Sequence, residues 1–318
     1  MSEIDALTQS DLTARTSRAI AAAAGAARDL GLEVTGTEVL HDSFSVVVRL
    51  EPLPVVVRVP TVLPEPIGSD LAAQAARQRV ELDVVGRLAD LGHPVVAPSP
   101  LVPREPVQRD GFSMTFWQFV EQDKCVEPDY VRNSGLTAGL HAALREYTGE
   151  LPFLATMVIV PTCLSQLENR PDLLAPSDLD RAKREWEILE PVLGSRAGFE
   201  AAFPGVELQP IHGDSPPFNL IVTTTGALYA DFEDATLGPV EWDLALTGPE
   251  GEKAYNTAAG ALGLRSLDDR VLRVMEAARM LQLVACLTVA PKMPTLLEGL
   301  QPSLDFWRGM PLAGGFGG

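Results

Sequence analysis

Three oxygen-bearing side chains in one short stretch have the types and spacing for joint chemistry. Asp214 lies in His212-Gly213-Asp214-Ser215-Pro216-Pro217-Phe218-Asn219, so an acid is followed five residues later by an amide. A second acid, Asp231, follows after Leu220-Ile221-Val222, the polar turn Thr223-Thr224-Thr225-Gly226 and Leu228-Tyr229-Ala230. Two apolar runs around a turn with glycine predict a hairpin, which brings Asp231 back beside Asn219. A loop carboxylate can accept a hydroxyl proton and orient the oxygen. An Asn carbonyl with a second carboxylate suits a hard cation that bridges nucleotide phosphates. The pattern predicts magnesium-assisted phosphoryl transfer.

The elements that must position these groups are of two kinds. Alanine-rich Asp11–Leu30, with Ser10 or Asp11 as N-cap and Gly31 to stop it, predicts a helix. Glu33–Leu40, Ser45–Leu50 and Val55–Val59 are short β-branched runs broken by His41-Asp42-Ser43 and by Glu51-Pro52-Leu53-Pro54, the pattern of an antiparallel meander. Leu71–Leu91, capped by Ser69 or Asp70 and ended by Gly92, predicts a long helix. After a connector marked by Pro94, Pro98 and Pro100, Phe112–Val120 predicts one more strand. Beyond it, helical spacing dominates in Asn133–Tyr147, Asp178–Leu193, about Ala254–Leu262 and Asp268–Val289. The fold class is α+β, with a small antiparallel-sheet lobe over residues 1–118 and a mainly helical lobe over 119–318. The glycine-rich end, about 313–318, predicts a frayed tail.

His212-Gly213-Asp214…Asn219, followed by Asp231-Phe232-Glu233-Asp234-Ala235 and Gly238-Pro239-x-x-Trp242-Asp243-Leu244-Ala245, resembles the aminoglycoside phosphotransferase family of small-molecule kinases. Asp-x4-Asn and a hairpin leading to a metal-binding Asp also mark the protein-kinase catalytic loop. The resemblance implies a bilobal protein-kinase-like fold and transfer of the γ-phosphoryl of ATP (or GTP), with Mg2+, to a hydroxyl of a small molecule. It implies Asp214 as the catalytic residue, Asn219 and Asp231 as metal ligands, His212 as a brace, and Asp243 as an anchor accepting backbone N–H bonds from the loop. His141 resembles a family histidine that packs beneath that loop.

In the small lobe, a nucleotide kinase needs a strand cation for the phosphates and a helix carboxylate to position it. Arg58 and Glu81 stand in those places. Protein kinases use Lys there, but all four lysines of this chain, Lys124, Lys183, Lys253 and Lys292, lie outside the small lobe. The phosphate-covering turn falls at His41–Ser45, without glycine, so Ser43 and Ser45 are its candidate hydroxyl donors. The hinge falls at Phe116–Val120, with backbone groups of Gln118, Phe119 and Val120 towards the base. Ser215-Pro216-Pro217-Phe218 is stiffer and more apolar than the Leu-His-Pro-Gly common in the family. Glu233 and Asp234 are expected to hold a second cation, attract a cationic substrate, or simply be solvated.

The charge balance, 25 Lys+Arg against 43 Asp+Glu for a net −18, argues against binding nucleic acid or an anionic membrane. With the resemblance it points to a cationic antibiotic such as an aminoglycoside. A metabolite such as an amino alcohol or sugar is the alternative, or a macrolide-like acceptor, because Phe153, Met157, Trp186, Phe306 and Trp307 are expected in the pocket. A non-catalytic nucleotide-binding scaffold is the rival from another class; it would dispense with one of Asp214, Asn219 or Asp231, and all three are present. Cys125, Cys163 and Cys286 form no Cys-x-x-Cys pair and predict reduced thiols. Acidic Met1-Ser2-Glu3-Ile4-Asp5 lacks a leader pattern and no run of eighteen apolar residues occurs, so a cytoplasmic protein is expected. Nothing in the sequence fixes an oligomeric state. Nucleophile-elbow, P-loop, zinc-protease and dinucleotide-binding motifs are all missing.

Overall fold

The computed structural model describes residues 6–317. Met1–Asp5, on which the leader reading rests, and Gly318 of the tail lie outside the described residues. Helix α1 (Gln9–Asp29) begins earlier than Ser10 or Asp11 as a cap would have it, because Thr8 and Asp11 cap it reciprocally. Its buried face is made of alanines, among them Ala19, Ala22, Ala23, Ala26 and Ala27, which let the backbone lie close on a sheet.

That sheet has five antiparallel strands in the order β1-β2-β3-β5-β4, formed by β1 (Gly36–Asp42), β2 (Ser45–Glu51), β3 (Val55–Pro60), β4 (Val107–Arg109) and β5 (Phe112–Gln118). β1 starts three residues later than predicted, and β4 is an edge strand that Pro103 and Pro106 hide from a reading by pattern. β3 is buried along its whole length because α1 covers one face and α2 (Leu71–Asp90) the other. The period of two sends Val55, Val57 and Val59 to the α1 core and leaves Val56 and Arg58 on the α2 side. This parity puts Arg58 within reach of Glu81.

The rest is mainly helical, with α3 (Tyr130–Leu144), α4 (Val160–Leu167), α5 (Pro176–Leu193), α6 (Arg196–Ala202), α7 (Glu241–Leu244), α8 (Gly248–Ala261), α9 (Asp269–Ala285) and α10 (Thr295–Gly309). Two short strand pairs interrupt it: β6 (Gln209–Ile211) with β9 (Thr236–Gly238), and β7 (Leu220–Thr223) with β8 (Gly226–Tyr229), the predicted hairpin. The expected two-lobed arrangement of a small sheet and a helical body is present. Among the described residues, one helical stretch, Asp269–Lys292, is long and apolar enough to cross a membrane by length and composition, and its most apolar window is 67% buried inside the protein.

Two expectations need correction. The glycine-rich end is not frayed through residue 317: Ala313 is fully buried and donates its N–H to Glu185 Oε1 at 3.2 Å, and Phe316 packs on Phe203. Gly314, at φ +64°, lies so close to the Arg273 carbonyl that a Cβ would stand 2.4 Å from it, so these glycines serve packing. Met157, Trp186 and Trp307 do not line an open pocket; they belong to the core of the helical body, where Trp307 Nε1 donates to Glu185 Oε2 at 2.6 Å. Phe153 packs against Phe199, and Phe306 is exposed.

The two parts also touch away from their covalent link. Leu7 N–H donates to Pro291 O at 2.9 Å and Arg15 Nη1 to Lys292 O at 3.0 Å. Lys292 Nζ in turn donates to Leu63 O at 3.1 Å and Glu65 Oε1 at 3.0 Å, on the segment between β3 and α2.

Candidate active site

The catalytic-loop segment is held from below by one buried carboxylate. Asp243, in α7 and fully buried, accepts the N–H of His212 at 2.9 Å and of Gly213 at 2.8 Å. His141 on α3 lies 3.0 Å from it through Nε2, and its Nδ1 lies 2.9 Å from the Tyr255 hydroxyl. Trp242 Nε1 donates to Gly213 O at 2.8 Å, Asn133 Nδ2 donates to Pro217 O at 2.9 Å, and His212 Nε2 lies 2.9 Å from Ala230 O at the end of the hairpin. Gly213 has φ +88°, and a Cβ there would stand 1.9 Å from Asp234 O, so the segment closes on its neighbour only with glycine at this place.

These supports bring Asp214, Asn219 and Asp231 to one place. Asn219 Nδ2 donates to Asp214 O at 2.5 Å and approaches its Oδ2 at 3.3 Å; no hydrogen bond engages Asn219 Oδ1 among the described residues. Desolvation is the largest influence on Asp214 and opposes its charge, but the Arg279 guanidinium together with the Asn219 hydrogen bond and other neighbours holds the carboxyl below the usual aspartate range. Arg279 Nη2 donates to Asp214 Oδ1 at 2.9 Å and to Ser215 Oγ at 2.7 Å.

Across the cleft, Arg58 Nη2 donates to Glu81 and Nη1 to Asp231, and Nη1 also lies 3.0 Å from Glu233 Oε2. Its buried Nε has no partner among the described residues. Burial pushes the Glu81 carboxyl up to about 8 against the pull of Arg58. Burial likewise raises Asp231, against Arg58 and with the neighbouring Glu233. Asp234 pairs with Arg77 Nη2 at 2.7 Å, and burial pushes its carboxyl up to about 7. Glu233 and Asp234 therefore face Arg58 and Arg77 instead of standing free towards a cationic substrate, because α2 presents Arg77 one turn before Glu81.

In the predicted phosphate-covering turn, Ser43 Oγ lies 2.8 Å from His41 Nε2 and Ser43 N–H donates to Ser45 O at 3.2 Å. At the predicted hinge, the N–H groups of Gln118 and Phe119 are already committed, to Ala97 O and Pro54 O, both at 2.9 Å. Only the Val120 N–H of the three makes no hydrogen bond among the described residues. Arg49 stacks on the Phe119 ring, 4.0 Å from its centroid.

Sequence reasoning missed Arg77 and Arg279. Arg279 left a signal: a lone cation inside the apolar run Ala277-Ala278-Arg279-Met280-Leu281, where a buried face requires a partner.

Oxygen donors from a loop, a hairpin end and a strand-borne cation tied to a helix carboxylate define the class: a bilobal, protein-kinase-like phosphotransferase of small molecules. The profile of the phosphotransferase enzyme family matches residues 41–281, most of the chain, and the chain belongs to that family. Solved structures agree in fold. An aminoglycoside 2'-phosphotransferase-IIIa in its GDP complex superposes with a TM-score of 0.57 at 14% identity, covering 90% of this chain and 96% of that one. A choline/ethanolamine kinase family protein from Mesorhizobium loti gives 0.57 at 17% identity, covering 93% and 96%. An aminoglycoside phosphotransferase from Streptomyces rimosus gives 0.55 at 19%, covering 84% and 97%. No match was found among curated proteins by sequence.

Proposed function

We propose that the chain transfers the γ-phosphoryl group of ATP, or of GTP, with Mg2+, to a hydroxyl of a small molecule. The observation that carries this reading is the convergence of Asp214, Asn219 and Asp231 opposite the Arg58–Glu81 pair. Asp214, kept ionised beside Arg279, accepts the proton of the acceptor hydroxyl and orients its oxygen for attack. Asn219 Oδ1 and a carboxylate oxygen of Asp231 are hard donors suited to Mg2+, which would be completed by phosphate oxygens and water. Mg2+ held by Asn219 and Asp231 would supply positive charge to offset what develops on the transferred phosphoryl group.

Arg58 orients the phosphates and Glu81 orients Arg58. Its unpartnered Nε, and an Nη1 that gathers the Asp231 and Glu233 carboxylates, make it the cation that a nucleotide would recruit. In this reading Ser43 and Ser45 cover the phosphates, and the Val120 N–H, unbonded among the described residues, is the hinge donor for the base. His212 and Asp243 hold the loop. Residues 1–118 form the nucleotide lobe and 119–318 the acceptor lobe.

The acceptor is a small molecule that carries a positively charged nitrogen as well as a hydroxyl. That chemistry is common to the aminoglycoside and the choline/ethanolamine named for the similar structures, and it accords with the net charge of −18. An aminoglycoside is the first choice and an amino alcohol the second. Thermal unfolding with and without Mg-ATP, then nucleotide consumption across aminoglycosides, macrolides, sugars and amino alcohols, tests the reading. Absence of any stabilisation by Mg-ATP, or full turnover by Asp214→Asn on the best acceptor, would refute it.

A further inference from the structure

We propose that Arg279 positions the catalytic carboxylate and decides which oxygen of Asp214 meets the acceptor hydroxyl; this rests on the kinase reading above. Arg279 is only 9% exposed and is held on every side. Nη2 donates to Asp214 Oδ1 and Ser215 Oγ, while Nη1 donates to Gln282 Oε1 at 2.8 Å and approaches Gly213 O at 3.5 Å. Its face lies over the Trp242 indole, 5.1 Å from the ring centroid, and Trp242 is itself tied to Gly213 O. The stem rises from α9, whose ten other buried residues anchor it in the core of the helical body. Arg279 therefore carries the rigidity of the core to the loop.

The loop needs such a restraint. Gly213 and Ser215, on either side of Asp214, both have left-handed backbone conformations, at φ +88° and +40°. Asp243 secures the chain before Asp214 through the His212 and Gly213 amides, but it does not reach the Asp214 side chain. A carboxylate turns easily about its last bond and would present either oxygen. With Oδ1 engaged by Arg279, and Asn219 Nδ2 at a long 3.3 Å from Oδ2, Oδ2 is the oxygen left for the acceptor. Lysine does not substitute, since one ammonium lacks the flat fork that spans Asp214 and Ser215 while lying on an indole.

The test is a double-mutant cycle on basal Mg-ATP hydrolysis, with water in the acceptor's place. Wild type, Arg279→Gln, Arg279→Lys, Asp214→Asn and the Arg279→Gln/Asp214→Asn double variant are compared, with Mg-ATP affinity and thermal unfolding measured for each. Arg279→Gln is expected to lower the rate about 10- to 100-fold, as misplacement of a reacting group does, with the Mg-ATP dissociation constant within about twofold of wild type. Arg279→Lys is expected to recover little of the loss. In the Asp214→Asn background, Arg279→Gln is expected to cost nothing further, because both act through one carboxylate. A full additional loss in that background, or a wild-type rate in Arg279→Gln, would overturn the proposal. A crystal structure of Arg279→Gln tests the role independently of rates: a turned Asp214 carboxylate is expected, and an unmoved one refutes it. Failure of the kinase reading shows up separately, as wild-type protein that Mg-ATP does not stabilise.

Discussion

Replacing Asp243 by Asn changes one oxygen to nitrogen and almost no volume, so it isolates the carboxylate's hydrogen bonds. In the wild type the two oxygens accept from the His212 and Gly213 amides and from the direction of His141 Nε2, with no exposure to water. The asparagine oxygen can keep the Gly213 bond, and its NH2 can donate to His141 once that ring shifts its proton to Nδ1, where the Tyr255 hydroxyl accepts. The His212 N–H is then left facing another donor. An orphaned buried amide costs about 1–3 kcal/mol, and weakening the charged bond to Gly213 adds about 1 kcal/mol, so a loss of roughly 2–4 kcal/mol is expected. Urea unfolding at neutral pH followed by circular dichroism measures it, and the thermal midpoint should fall by on the order of 5 °C. Asp243→Ala, which strands all three donors, should cost more than Asp243→Asn. A cost below about 1 kcal/mol for Asp243→Asn would mean that the carboxylate does not hold both amides, and the account of how Asp214 is positioned would fail with it.

Gly213→Ala should lower turnover at least about 100-fold, since the new methyl meets Asp234 O and the loop must retreat by more than an ångström; near-normal kinetics would refute that packing. Glu81→Gln should leave the fold largely intact but reduce turnover about tenfold or more above about pH 8, where the wild-type carboxyl, raised by burial, is ionised and fixes Arg58, with a smaller gap at pH 7; steady-state kinetics at saturating acceptor at pH 7 and pH 9 check this. Thiol titration at pH 7.5 should show one fast-reacting cysteine, Cys125, which is exposed. Burial raises the Cys163 thiol and pushes the half-buried Cys286 up to about 12, so both should react far more slowly than Cys125. Loss of the fast phase in Cys125→Ser confirms the assignment, and two fast phases in the wild type would contradict it.

What could be read from the sequence was what is local in it. Asp214, Asn219, Asp231 and Asp243 fall within one short stretch, and each spacing reports a loop, hairpin or helix start whose geometry follows from neighbouring residues. Arg58 and Glu81 were legible only through the resemblance, which calls for a strand cation and a helix carboxylate at those places in the order of elements; the parity of β3 and the turn of α2 are what bring them together in the fold. Pairings set by tertiary packing were not: Arg77 with Asp234 and Arg279 with Asp214 join segments 157 and 65 residues apart, which no local pattern connects. The tail misled for a different reason. Glycine reads as freedom in a sequence, whereas at Gly314 it permits a backbone contact that any side chain would block. Trp186 and Trp307 misled because large aromatics serve a core and a binding pocket equally well, and only the enclosing helices decide between them.

The contacts of Leu7, Arg15 and Lys292 give the molecule the connectivity of a ring. One arc is the peptide link through the exposed segment 121–129; the other is non-covalent, made of the seam where the start of the chain and the β3–α2 segment meet the segment before α10, together with the Arg58–Asp231 and Arg77–Asp234 pairs at the site. A protease that cuts the first arc would therefore not release two lobes but leave a nicked protein still fastened at the seam. Fragments divided at that segment would carry matching surfaces with which to find each other again, whereas removing the first fifteen residues would strip the Leu7 and Arg15 bonds from the seam and leave the peptide link and the Lys292 contacts in place.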